Sequence, residues 1–430
     1  MRTDGRAVFV VAICCVVAAW LFVLPCEARK WELTATCRMI PTTAGKAAGF
    51  SGGLVTLYTI NATASLGVNI TAQLLFADSA SAAYAMSIRE FGDIADPTGN
   101  NTGGEFVGGG STTHACPPDA RPDGALGNWT RVDKSILQSQ TYNQLTLQGP
   151  NSVIGHSIVL YSKHDDCSAN PNLGDILGQC VIGISDSFLN RAESGNVGTL
   201  KAICALNGTS ACNGTCNGVA YFLSRNSDAD VEITVQIPQG LTNGSVHGIH
   251  IGTAGDLSLN SATSTGNIFN PYSSSHALPG TYPRMIGDLG NIQTYDSKGV
   301  AWYRYVDDWV DSIDSIIGRS LIITTGFDHG QGAGCDGEGS AGAPLLACVI
   351  GLAAADTIIP HPPVDINFNF TNQDCASPPI PIRPSKGNEK EVDSLVAAVV
   401  VGWVFVAVLA FCVIGLVVIM ARKRGDYQTV

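Results

Sequence analysis

Hydrophobic and polar positions alternate over short stretches such as 54–60 (LVTLYTI) and 231–237 (VEITVQI), and helical periodicity is scarce. A period of two sends successive side chains to opposite faces of an extended chain, so these stretches read as half-buried strands. Gly, Asn, Asp and Pro punctuate them, and the glycine-rich segments 98–113 and 326–342 are expected to be surface loops. Many short strands joined by long polar loops predict an all-β sandwich or barrel.

Two long apolar runs break this pattern. Residues 7–24 follow Arg2 and Arg6 and precede Cys26-Glu27-Ala28, which predicts a signal peptide over 1–28, cleaved after Ala28. Residues 395–421 carry no charge and are followed at once by Arg422-Lys423-Arg424. That is the pattern of a single C-terminal transmembrane helix whose basic end stays in the cytoplasm. The Pro-rich, then charged, segment 359–394 reads as an extended stalk. The expected topology is therefore type I, at the plasma membrane or an endomembrane surface, with a nine-residue cytoplasmic tail over 422–430. The tail ends Tyr427-Gln428-Thr429-Val430. A tyrosine with a bulky apolar residue three places on resembles the sorting signal read by clathrin adaptors, with Tyr427 and Val430 as its anchors; a plain solvated tail is the alternative. The triplet Arg424-Gly425-Asp426 falls on the cytoplasmic side, out of reach of an integrin.

The chain also repeats itself. FGD at 91–93 is echoed by AGD at 254–256, ALGN at 125–128 by DLGN at 288–291, and SVIGHSIVL at 152–160 by SIIGRSLII at 315–323. Each pair is offset by 163 residues, and CVIGI at 180 returns as CVIGL at 348, an offset of 168. A near-constant offset across four motifs predicts two copies of one domain, over 29–190 and 191–358.

Composition narrows the function. A formal charge of −12 excludes nucleic acid as a partner, because phosphate binding needs a basic surface. Glycosylation sequons at Asn61, Asn69, Asn100, Asn128, Asn207, Asn213, Asn243 and Asn369 all precede the apolar run at 395–421, as a lumenal ectodomain requires. Apart from Cys14, Cys15, Cys26 and Cys412 in the two apolar segments, ten cysteines remain, an even number that suits disulfides in an oxidising compartment. Cys167 and Cys180 are thirteen apart, as are Cys335 and Cys348, and this recurrence predicts one local disulfide per repeat. Cys116 is a rival partner in the first repeat, and Cys37, Cys204, Cys212, Cys216 and Cys375 are left unassigned. Gly49-Phe50-Ser51-Gly52-Gly53 fits a hydrolase elbow but leads into a strand, and the G-x-G-x-x-G at 332–337 lies in an acidic loop with no helix after it; neither carries chemistry.

Three runs carry the strongest signal: SVHGIHIGTAGD (245–256), TSTGNIFNPYSSSH (263–276) and MIGDLGN (285–291). In that order they resemble the copper/zinc superoxide dismutase domain, whose segments read roughly LHGFHVHEFGD, TSAGPHFNP…H and HVGDLGN. The likeness begins at KAICALNG (201–208) and continues through 315–323 to LLACVIGL (345–352). It implies an eight-stranded Greek-key barrel in each repeat. It also implies a disulfide between the late Cys and one in the loop after the metal-binding strand, which the second repeat cannot form because it has no Cys between Cys216 and Cys335.

Carried over by position, the resemblance leaves most of the metal ligands behind. His250 stands at the first copper position, but Gly252, Ile268 and Thr324 occupy the second copper, bridging and late-strand positions. Of the zinc set His276 and Asp288 survive, with Met285 at the third place. His247 matches a histidine that is not a ligand, Asp328 the aspartate that orients ligand imidazoles, and the substrate-guiding arginine is absent near Pro344 and Leu345. In the first repeat Ser87, Arg89, Glu105 and Tyr161 take the copper positions and Pro122 and Ala125 two zinc positions, leaving His114 near the third. One copper imidazole cannot fix copper, and two ligands fall short of a zinc site.

The expectation is a glycosylated surface protein with two superoxide dismutase-like domains, no catalytic residues, no metal cofactor, and a role in binding an extracellular ligand or protein. The rivals are a membrane-anchored dismutase with an altered copper site, using copper or zinc, and a weak metal-binding protein with His250, His276 and Asp288 as residual ligands. Few Met and His residues (5 and 8) argue against the last.

Overall fold

The computed structural model describes residues 33–360, apart from 63–64, 150, 186–199, 213–215, 225–230, 243–244, 295–298, 308, 311–312 and 331–340. The expected signal peptide, membrane span, sorting residues Tyr427 and Val430, sequons Asn213, Asn243 and Asn369, and Cys335 and Cys375 lie outside the described residues. Among the described residues no helix is long and apolar enough to cross a membrane.

The first repeat is built from β1 (Thr34–Pro41), β2 (Phe50–Ala62), β3 (Ser65–Phe76), β4 (Ala82–Arg89), β5 (Ala125–Arg131), β6 (Ser135–Tyr142), β7 (Ser157–Tyr161), β8 (Ile176–Val181) and β9 (Gly183–Ile184). The second contains β10 (Leu200–Gly208), β11 (Asn217–Ser224), β12 (Val231–Gln239), β13 (Val246–Ile251), β14 (Asp288–Thr294), β15 (Ala301–Asp307), β16 (Ser320–Thr324), β17 (Pro344–Val349) and β18 (Gly351–Leu352). The last two strands of each set are one strand interrupted by a single residue, so both repeats are eight-stranded antiparallel barrels. Strand order in the first is β5-β4-β7-β8-β1-β2-β3-β6 with β9 on β1. The second runs β11-β12-β15-β14-β13-β16-β17-β10-β18 and closes through β10 and β11. At the seam between β5 and β6 side chains stand in for a ladder: Gln138 Oε1 accepts from Thr130 N–H at 2.9 Å and Gln140 Nε2 donates to Asn128 O at 3.1 Å.

The strand reading holds in detail at β2, where Val55 and Leu57 point into the core at 0% exposure. It departs at β12, where Glu232 and Thr234 are buried as well. Arg304 on the paired strand β15 lies over Glu232, with Nε 2.8 Å from the carboxylate, so the outward face is covered too.

The two barrels pack about a pseudo-two-fold axis. Gly92 N–H donates to Leu352 O at 2.8 Å and Leu352 N–H to Gly155 O at 2.8 Å; Gly255 N–H donates to Ile184 O at 2.6 Å and Ile184 N–H to Gly318 O at 2.7 Å. The partners correspond by the sequence offsets 163 (92 to 255, 155 to 318) and 168 (184 to 352). Glycine is required here by approach rather than by backbone angle. A Cβ on Gly92 would stand 2.8 Å from Gly351 Cα in the other barrel, and one on Gly255 3.0 Å from Gly183 Cα. Ile154, Ile184, Ile317 and their neighbours run the apolar core continuously through this contact.

The disulfides correct the local pairing expected from the spacing. Cys37 bonds Cys180 (Cα–Cα 5.4 Å), Cys204 bonds Cys348 (5.6 Å), Cys116 bonds Cys167 (5.0 Å) and Cys212 bonds Cys216 (6.2 Å). Cys167 cannot meet Cys180 because it sits on an exposed loop, whereas Cys180 is 1% exposed on β8, beside β1 and its Cys37. The same relation joins Cys348 on β17 to Cys204 on β10, so the expected Cys335–Cys348 bond does not form.

Candidate functional site

In the second repeat the site forms where β13 meets β14, with His250 opposite Asp288 in the register. His276, on the long loop between them, is fully enclosed. Its Nδ1 lies 2.7 Å from Asp288 Oδ1 and its Nε2 2.8 Å from Asp328 Oδ1. Asp288 Oδ2 in turn accepts from Ala277 N–H at 2.9 Å and Met285 N–H at 3.2 Å, which fastens the C-terminal part of the loop to β14. Asp328 is held by Asn291, whose amide donates to Asp328 O at 2.8 Å and accepts from Asp328 N–H at 2.7 Å. Burial opposes a charge on His276, but the two carboxylates outweigh it and hold its pKa at about 10. At neutral pH the ring is an imidazolium that donates to both aspartates.

His250 has the opposite character. Burial pulls its pKa down to about 4; Asp328 resists this and the neighbouring His276 charge adds to it. It is a neutral imidazole at neutral pH. His247 is structural, as its position implies: its Nδ1 lies 2.8 Å from Thr324 O and its Nε2 2.7 Å from Ser245 Oγ.

The residues present do not fit the copper and zinc that the resemblance implies. Gly252 pairs with Ile268 in a β-bridge, and a side chain at 252 would meet Ser320 Oγ at 2.4 Å, so the space for a second copper imidazole is closed. The Thr324 hydroxyl bonds Gly248 O at 3.2 Å and Gly326 O at 3.1 Å. For zinc, ligand bonds near 2.0–2.1 Å in a tetrahedron would hold two ligand atoms about 3.3 Å apart. His276 Nδ1 and Asp288 Oδ1 are at 2.7 Å, a hydrogen-bond separation that a proton fills. Asp328 lies on the opposite edge of the ring and cannot converge on the same ion.

The first repeat reaches the same arrangement with different residues. His114 Nδ1 lies 2.8 Å from Glu105 Oε2 and Nε2 2.9 Å from Asp165 Oδ2. Burial again opposes protonation and the two carboxylates again override it, so the His114 pKa is raised. Asn128 repeats the role of Asn291, donating to Asp165 O at 2.8 Å and accepting from Asp165 N–H at 2.7 Å. Glu105, at the position of the bridging imidazole, supplies the carboxylate that Asp288 provides in the other repeat. Ser87 is buried on β4 and Tyr161 on β7, and neither joins the clamp. Cys116, Asp165 and Cys167 lie close enough to suggest a metal group, but both sulfurs are in the disulfide and offer no thiolate.

The structure thus brings His276, Asp288 and Asp328 together and places His250 beside them without a bond to them. Sequence reasoning missed Asp165 and the paired Asn128 and Asn291. The repeat offset was the available signal, since 328 and 291 less 163 give 165 and 128. Asn128, expected as a glycan acceptor, is half-buried with its amide engaged, whereas Asn100 and Asn207 are exposed.

Comparison with known proteins agrees with this architecture. The family model "Copper/zinc superoxide dismutase (SODC)" matches twice, at residues 52–182 and 216–350. The chain is 28% identical over 313 residues to "Extracellular superoxide dismutase [Cu-Zn] 2" of Dictyostelium discoideum, covering 65% of this chain and 70% of that one. "Extracellular superoxide dismutase [Cu-Zn] 3" of the same organism is 27% identical over 268 residues, covering 57% and 61%. "Superoxide dismutase [Cu-Zn] A" of Xenopus laevis is 37% identical over 158 residues, 35% of this chain and 97% of that one.

Proposed function

Since the chain belongs to the copper/zinc superoxide dismutase family, we propose that its two domains have kept the barrel and given up the redox centre, serving as a non-catalytic extracellular binding or structural module. The observation that supports this reading is the clamp: His276 Nδ1 lies 2.7 Å from Asp288 Oδ1, a hydrogen-bond separation, where a zinc ion would have to bind. With Gly252, Ile268 and Thr324 at three of the four copper positions, no redox metal has enough imidazoles to cycle between two oxidation states. The test is metal retention. Full-length chain loaded with copper and zinc and then dialysed is expected to keep far less than one copper per domain and to leave superoxide unconsumed. Stoichiometric copper together with cyanide-sensitive superoxide consumption would overturn the reading.

A second reading, an extracellular dismutase with an altered copper site, draws on the names of the Dictyostelium relatives and on the neutral imidazole of His250. The same experiment separates the two. In either case the charge pattern of 1–28 and 395–424 supports a glycosylated ectodomain carried on one membrane span, and the YQTV ending supports uptake through a clathrin adaptor. Tyr427→Ala is expected to raise surface density and slow uptake of an ectodomain antibody; unchanged uptake would leave the tail as an anchor alone.

A further inference from the structure

Where the two barrels meet, between β1 of one and β10 of the other, lies a groove of about 410 Å³. Its walls are matched across the axis: Ile94 faces its counterpart Leu257 (offset 163), and Val181 faces Val349 (offset 168). The match fails where Ile40 corresponds to Asn207, and again two residues earlier on the strand. Arg38 on β1 corresponds to Ala205 on β10, so a guanidinium stands on one side and a methyl group on the other.

Arg38 is half-buried and its hydrogen bonds go to neutral acceptors, NH1 to Leu257 O at 3.2 Å and NH2 to Asn260 Oδ1. Among the described residues it has no carboxylate in ion-pair reach. Asp256 is near in sequence to both acceptors, but its Oδ1 is taken by the Thr36 hydroxyl at 3.2 Å and Ser258 N–H at 2.8 Å. Burial without a counter-charge pulls the Arg38 pKa downward. A partly desolvated cation calls for an anion, because a buried charge is normally paired. Beside it Ile94, Val181, Leu257 and Val349 form an apolar wall that suits a hydrocarbon, while Asn207 and Thr209 add polar groups to the lining. At about 30 Å³ per water-sized unit the groove holds roughly a dozen heavy atoms, and it lies within the size range of small-molecule sites.

We propose that the groove binds a free monoanionic amphiphile, a fatty carboxylate of about ten carbons, with its head on Arg38 and its tail between Ile94, Leu257, Val181 and Val349. The chain's net charge of −12 does not forbid this, since charges more than about 8 Å away are screened at physiological salt. The site is separate from both histidine–carboxylate clamps and does not depend on whether either repeat holds metal.

The test uses full-length chain in phosphatidylcholine nanodiscs, titrated calorimetrically with decanoate, decanol and decylamine against empty nanodiscs. One saturable decanoate site per chain is expected, with decanol and decylamine binding at least about tenfold more weakly, as a charge-assisted bond implies. Arg38→Leu should weaken decanoate by about tenfold or more, whereas Arg38→Lys should retain most of the binding. Absence of saturable decanoate binding, equal binding of decanol, or an unchanged affinity in Arg38→Leu would each overturn the proposal. The comparison of three ligands needs only the natural chain, so it reads out even if a variant fails to fold.

Discussion

Asp165 and Asp328 stand 163 residues apart and do the same thing: each accepts a hydrogen bond from Nε2 of a histidine, at 2.9 and 2.8 Å, while an asparagine clamps its own backbone. The second carboxylate on each ring differs, Glu105 in one repeat and Asp288 in the other. The chain has therefore arrived twice, by unlike residues, at an imidazole held between two acids.

That geometry sets a pH dependence. The folded-state pKa of His276 is about 10, above the ordinary value near 6.5, so folding favours the protonated ring. Its contribution is fully present below pH about 6.5 and is lost as the pH rises towards 10. The thermal midpoint of the full chain should fall across that window, and less steeply in His276→Gln. Asp328→Ala, which breaks a buried pair, should cost on the order of 3–5 kcal/mol. A flat profile from pH 7 to 10 would refute the clamp.

Non-reducing peptide mapping should recover Cys37–Cys180, Cys204–Cys348, Cys116–Cys167 and Cys212–Cys216. The first closes a separation of 143 residues. Removing a bond that closes so long a loop should cost about 5 kcal/mol in the loop-entropy account. Recovery of a Cys167–Cys180 peptide instead would contradict the structure.

Gly255→Ala places a methyl group 2.1 Å from Gly318 O in its own barrel and 3.0 Å from Gly183 Cα in the other, so relieving the clash disturbs the contact between the barrels. A loss of about 1–3 kcal/mol is expected. Calorimetry should show the single unfolding transition splitting into two as the barrels lose their contact. An unchanged trace would mean the seam is looser than the hydrogen bonds imply.

Asn128 is expected to be bare in the mature protein, because its amide is committed to Asp165. Glycopeptide mass spectrometry decides this, with the exposed Asn100 and Asn207 as internal comparisons. Asn128→Ala should lower stability by about 1–3 kcal/mol, the cost of leaving buried polar groups without partners.

The barrels were legible because a period of two and an internal offset survive in the letters. Val55 and Leu57 behave as their alternation requires, and the four motifs fall where the second copy demands. The disulfides were not, because thirteen residues of loop say nothing about which side of the barrel wall a sulfur faces: Cys180 is inside and Cys167 outside. The clamps were half legible. Position alone marked His276, Asp288 and Asp328, but a carboxylate at 105 reaches His114 only through the path of a loop, and loop paths leave no periodic trace.

The seam between the barrels has a consequence of its own. When two identical chains associate about a two-fold axis, every substitution at the contact appears on both sides at once. An arginine that suits one wall is thereby forced on the other, where a second positive charge would repel it. Here both halves belong to one polypeptide, and Arg38 can look across at Ala205. Joining the halves released their shared surface from having to mirror itself, so that each side could change alone.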